Sequence, residues 1–278
     1  HTYPAMMIPQ IAKRLIETYG KNAKVLLDPF MGSGTALLEA TLHDNFKKAY
    51  GIDINPLARL ISKVKTTPIE PKFLTEEYKK LMQRCLKNKK NVNSKQRRID
   101  EPNFTNIRFW FKPQVITDLT IIKNNIEQIK NKDIRNFFLI AFSETVRSAS
   151  NTRNNEYKLY RLNESMLKKH NPDTIKLFQK KAKKNIVCMK NYYKNYNNNC
   201  KVEILPEDTR NKTSIQDEEV DLIVTSPPYG DSRTTVAYGQ FSRLSLQWIG
   251  LNSKDVLTID RTSLGGIPTK DLKNNLNS

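Results

Sequence analysis

Apolar positions in the first 66 residues alternate between two periods. Ile8, Ile11, Ala12, Leu15 and Ile16 recur at helical spacing, Lys24 to Leu27 form a short apolar run ending at Asp28, and Thr35 to Leu42 are helical again. Ala49-Tyr50-Gly51-Ile52 is a second short run, closed by Asp53. Strand, glycine turn, helix, strand is the opening of a parallel α/β sheet.

Between about residue 67 and residue 198 the pattern changes: lysine, asparagine and helical periodicity dominate, and glycine is absent. Val115, Leu119, Ile122, Ile126 and Ile129 predict an amphipathic helix, Phe137 to Val146 a more buried one, and Ile175, Phe178, Ala182, Ile186, Met189 and Tyr193 a third with a lysine-rich outer face. Lys87 to Arg98 read as an exposed loop, and Trp110 as a core residue. Alternation then resumes. Lys201 to Leu205 and Val220 to Thr225 predict strands, and Phe241 to Ile249 a helix, after which no further strand is convincing.

This order predicts a doubly wound, Rossmann-like α/β sheet interrupted by a large helical insertion and short of strands at its C-terminal side. Either further chain or a second chain would complete the sheet. The expected division is 1–66 and 199–278 for the α/β core, with 67–198 inserted between them.

Charge narrows the partner. Forty-seven Lys and Arg against 28 Asp and Glu leave +19 on 278 residues, a self-repulsion that a polyanion would relieve. Nucleic acid fits. No apolar run approaches membrane-spanning length, and no stretch has a lipid-facing aromatic edge. Cys85, Cys188 and Cys200 are odd in number and widely spaced, which points to a reducing, cytoplasmic setting without structural zinc or another metal.

The segment Asp28-Pro29-Phe30-Met31-Gly32-Ser33-Gly34-Thr35 puts two glycines in a strand-to-helix turn, where backbone must approach a ligand closely. No Lys-Ser/Thr pair follows, which excludes a phosphate-binding P-loop, and Leu37 stands where the dinucleotide fingerprint has its third glycine. Asp53 ends the next strand about 20 residues on, an arrangement that grips the two hydroxyls of a ribose.

DPFMGSGT at 28–35 together with TSPPY at 225–229 resembles the amino-group DNA methyltransferases, which use S-adenosylmethionine to make N4-methylcytosine or N6-methyladenine. The resemblance implies that Asp28, Pro29, Phe30, Gly32, Ser33, Gly34 and Thr35 line the cofactor, that Asp53 binds its ribose and that Asp208 sits near its adenine. His1-Thr2-Tyr3-Pro4-Ala5-Met6 is similar to the family's segment before the cofactor loop, which makes Pro4 and Ala5 candidate contacts to the methionine end. The likeness covers the two α/β stretches and not the insertion. Some of these enzymes carry a target-recognition region between cofactor and catalytic elements, but after the adenine-contacting acid, whereas here the insertion precedes Asp208.

Ser226, Pro227, Pro228 and Tyr229 form the candidate catalytic loop, and its chemistry follows from the residues. An exocyclic amine is a poor nucleophile because its lone pair is delocalised into the ring. Ser226 can accept one amine hydrogen and the Pro227 carbonyl the other, while adjacent prolines keep both acceptors in place. Tyr229 offers a face on which a flipped base stacks, worth about 1–3 kcal/mol. Serine at the first position is characteristic of the family's cytosine enzymes, so the resemblance favours N4-methylcytosine, with N6-methyladenine the alternative.

Arg147, Arg153, Lys158 and Arg161, with Tyr157 and Tyr160 among them, form a basic and aromatic cluster suited to nucleic acid, and Arg233 follows the catalytic loop where it could meet a phosphate. The expected partners are DNA and either a cognate restriction endonuclease or a second chain completing the sheet, with no membrane role. An RNA or tRNA methyltransferase and a catalytically silent DNA-binding subunit are the rival readings.

Overall fold

A computed structural model describes residues 3–95, 99–153, 156–197, 199–226 and 237–263. The chain divides into a sheet unit, Tyr3–Thr66, Asn195–Phe241 and Leu257–Ser278, and a helical unit, Thr67–Lys194 and Ser242–Val256.

In the sheet unit, α1 (Pro9–Tyr19) opens with proline at its first position, where the missing N–H costs nothing, and ends at Gly20, whose N–H donates to the Ile16 carbonyl. Among the described residues four strands follow in chain order as β1 (Val25–Asp28), β2 (Lys48–Ile52), β3 (Lys201–Leu205) and β4 (Leu222–Ile223). They lie in the order β3-β2-β1-β4, every pair parallel. The chain therefore builds outward from β1 to β3, then returns to the other side of β1. That reversal is the switch point of a doubly wound sheet. Between β1 and β2 runs α2 (Thr35–Ala40), and β2 leads into α3 (Pro56–Thr66). Ile16, Leu26, Leu37, Phe46, Ala49 and Val224 form the core beside the sheet.

The strand expected at Val220–Thr225 is shorter than its apolar run. Only Leu222 and Ile223 form the ladder with β1, although Asp221 N donates to the Val25 carbonyl and Val224 N to the Leu27 carbonyl on either side. The Asp221 carboxylate accepts the N–H groups of Lys24 and Val25 at 2.8 and 2.9 Å, which locks the register of the two strands.

The helical unit holds α4 (Pro71–Asn93), α5 (Ile107–Trp110), α6 (Pro113–Glu127), α7 (Lys132–Ala149), α8 (Glu164–Lys169) and most of α9 (Thr174–Asn195). Lys87 to Asn93 are helical, not loop: the last turns of α4 are tied to α6 by Lys89 to Asp118 at 3.0 Å and by Asn88 to Asn125 at 3.2 Å. Asn131 caps α7 by accepting from Asp133 N and Ile134 N. The division between units falls inside α10 (Tyr238–Trp248), and α11 (Ser253–Thr262) follows. Fully buried Trp248 is the centre of this unit's core, with Phe104, Phe111 and Phe142 edge-on to it at 5.6–6.0 Å. Trp110, expected in the core, is instead half-buried.

Candidate cofactor and catalytic site

Two loops leave the C-terminal ends of the strands that flank the switch point. The first follows β1. Its backbone turns through Gly32 at φ +48° and Gly34 at φ +72°, a left-handed region costly for any residue with a Cβ. At Gly34 a Cβ would also fall 2.5 Å from Ser62 Oγ and 2.7 Å from Ser62 Cβ, so α3 packs directly on the turn. Ser62 Oγ donates to the Gly32 carbonyl at 3.0 Å, and Met31 N to the Ile52 carbonyl at 3.1 Å, fixing the loop to the end of β2. Phe30 is 41% exposed at the loop's outer edge, while Ser33 and Thr35 are buried beneath it.

Asp53 stands where β2 ends, half-buried. Its Oδ2 accepts Gly32 N–H at 3.1 Å and its Oδ1 accepts Asn55 N–H at 2.7 Å, so each oxygen keeps further acceptor capacity toward a ligand. Arg59 donates to the Asp53 carbonyl at 2.7 Å rather than to the carboxylate. Burial pushes this acid up to about 7, against the two backbone N–H groups and the nearby Arg59 charge. Asp28, at the end of β1, is 3% exposed; burial pushes it up to about 6, opposed by hydrogen bonding from the Thr225 side chain and Phe30 N.

Tyr3 and Pro4 are buried and Ala5 is held at φ +46°. Asp208 lies just beyond β3, its carboxylate taken up by the Arg210 guanidinium at 2.6–3.1 Å and lowered by that contact.

The second loop follows β4. Ser226, half-buried, comes two residues after Val224, whose N–H donates to the Leu27 carbonyl next to Asp28. Pro227, Pro228, Tyr229 and Arg233 lie outside the described residues. Tyr3 lies in the segment singled out from sequence, whereas Asn55, Arg59 and Ser62 were missed. Only Asn55 carried a signal, an asparagine directly before a helix-opening proline.

In the helical unit, Thr152 and Arg161 form an antiparallel bridge, Arg153 N donates to the Tyr160 carbonyl and Leu162 N to the Asn151 carbonyl. The Arg161 guanidinium lies 4.3 Å over the 45% exposed Phe109 ring, and Tyr157 and Tyr160 are 44% and 46% exposed. Arg153 faces Glu156 at 3.4 Å, and Lys158 is half-buried. Arg147 departs from the expected cluster: it is 8% exposed, its guanidinium donates to the Glu156 carbonyl, and burial pushes it down to about 10. Its charge supports this ribbon from below instead of facing solvent.

A parallel doubly wound sheet, with a glycine turn after its first strand and an acid after its second, is a Rossmann-like methyltransferase fold. A family model described as DNA methylase matches residues 1–63. The chain is 44% identical over 290 aligned residues to the Type II methyltransferase M.MvaI of Kocuria varians, an alignment covering 98% of this chain and 62% of that protein. It therefore spans about three fifths of that relative's length. The Type II methyltransferase M.MjaII of Methanocaldococcus jannaschii is 35% identical over 65 residues, 23% of this chain and 12% of its own. No solved structure matches. The chain is thus similar to the N6/N4 DNA methylases through residues 1–63 and to a Type II methyltransferase along nearly all of its length. Among the described residues no helix is long and apolar enough to cross a membrane, and no group of three or more His, Cys, Asp or Glu could hold a metal ion.

Proposed function

We propose that this chain transfers a methyl group from S-adenosylmethionine to the exocyclic amine of a flipped base in DNA, cytosine N4 in preference to adenine N6. The carrying observation is that the glycine turn after β1 and Ser226 after β4 leave neighbouring strands on the two sides of the switch point. When bound, S-adenosylmethionine supplies an electrophilic methyl group on a sulfonium sulfur. The glycine turn suits such a ligand because two of its positions carry no side chain, and Asp53 retains acceptor capacity for a ribose diol. Ser226 accepts a hydrogen from the target amine, the Pro227 carbonyl accepts the other, and Tyr229 stacks on the base.

Residues 1–66 and 199–278 are assigned to methyl transfer and 67–198 to DNA contact, with Ser242–Val256 joining the latter unit. Arg153, Lys158 and Arg161 are the proposed phosphate contacts in the insertion, and Arg233 beside the catalytic loop. DNA is the proposed partner, with either a cognate restriction endonuclease or a second chain completing the sheet.

Nucleoside mass spectrometry of DNA from cells expressing the intact protein tests the reading. N4-methylcytosine is the expected product, lost in Ser226→Ala. N6-methyladenine would overturn the base assignment alone, methylated RNA without methylated DNA the substrate, and no product at all the activity.

A further inference from the structure

Asn55 is 2% exposed and makes bonds in three directions at the end of β2. Its N–H donates to Asp53 Oδ1 at 2.7 Å, its Oδ1 accepts Leu57 N–H at 3.0 Å in the first turn of α3, and its Nδ2 donates to the Tyr3 hydroxyl at 3.1 Å. Tyr3 is 5% exposed, and its ring lies against Gly32, where a Cβ would meet Cε1 at 3.5 Å. Two residues later Ala5 sits at φ +46°, a conformation an L-residue holds only when its surroundings impose it. The acid at the end of β2 thus meets the backbone N–H of Asn55, whose side-chain amide reaches Tyr3, and the Tyr3 ring in turn lies against the glycine turn after β1.

We infer that Asn55 and Tyr3 form a positioning pair for the methyl-donor site. The pair holds the segment 3–6 against the glycine turn, with Asp53 oriented in the same bonded unit, before any ligand arrives. Neither residue needs to touch the ligand. The inference rests on the proposed reading of this site.

Tyr3→Phe keeps the ring and removes the hydroxyl. Asn55→Ser keeps an oxygen able to cap α3 but is too short to reach Tyr3. The two substitutions therefore break one bond from opposite ends. Calorimetric titration of S-adenosylmethionine into the unaltered chain, each variant and the double variant reads the effect, with melting temperatures in parallel. Each single change is expected to weaken binding about five- to tenfold, and the double change no further, because the second finds nothing left to remove. Equal affinity in all four proteins, or losses that multiply in the double variant, would overturn the pairing, as would lower melting temperatures with unchanged affinity. No binding by the unaltered chain would overturn the site reading and the inference with it; binding there with unaffected variants overturns the inference alone.

Discussion

Each unit of this molecule buries acid, and it does so in opposite ways. In the helical unit Asp118 is 2% exposed and met by Lys89 Nζ and Gln114 Nε2, each at 3.0 Å. In the sheet unit Asp53 is held by backbone N–H groups, with Arg59 turned to its carbonyl, and burial carries it and Asp28 well above the ordinary carboxylate range. A buried acid with a cation beside it is a structural joint. One left with neutral donors costs stability and is retained where a ligand uses it. The left-handed residues Ala5, Gly32 and Gly34 lie around the same acids, which stand at the C-terminal ends of the two central strands.

The largest expected effect comes from the turn itself. Gly34→Val adds a side chain where φ is +72° and Ser62 already occupies the space, so stability should fall by about 2–5 kcal/mol in chemical denaturation. Retained stability would mean the turn is not so constrained.

Lys89→Ala leaves Asp118 buried without its cation and should cost about 1–3 kcal/mol, less than for a fully buried pair because Lys89 is 30% exposed. Binding of S-adenosylmethionine should be unchanged. A loss of binding would dissolve the contrast between a structural and a functional acid.

Asp53→Asn should act with the opposite sign. Its acid titrates near 7 when folded against 3.8 ordinarily, so between those values the folded chain holds a proton that the unfolded chain releases. Its contribution to stability is therefore lost as pH rises from about 4 to about 7. Asparagine removes that dependence and raises the melting temperature at neutral pH, measurable by scanning calorimetry from about pH 4 to about pH 8. An unaltered slope would show Asp53 to titrate normally.

The smallest effect belongs to the ribbon in the insertion. Replacing Arg153 and Arg161 should flatten the slope of log DNA affinity against log salt by about one for each phosphate no longer neutralised, and replacing buried Arg147 should instead lower stability. An unaltered slope in the double variant would move the DNA-binding surface elsewhere.

Legibility in the sequence followed how local each feature is. The glycine turn and Asp53 could be read because short strands ended in them, and β3 ran over the expected Lys201–Leu205. The end of α4 could not, since past Cys85 it is held by polar links to α6 and not by an apolar stripe. Trp110 and Trp248 were indistinguishable by composition; their burial depends on Phe104, Phe111 and Phe142 arriving around the second. Arg147 read as a surface cation because nothing local announces that Glu156 folds back over it. The bond between Asn55 and Tyr3 spans 52 positions and leaves no periodic trace.

Whether the switch point of the sheet unit holds a methyl donor is decided by titrating S-adenosylmethionine into the chain and into Asp53→Ala by calorimetry. Saturable one-site binding is expected, weakened in the variant by about 1.5–3 kcal/mol through loss of an acceptor for the ribose hydroxyls. Equal affinity in the two proteins, or no binding by the unaltered chain, would contradict it.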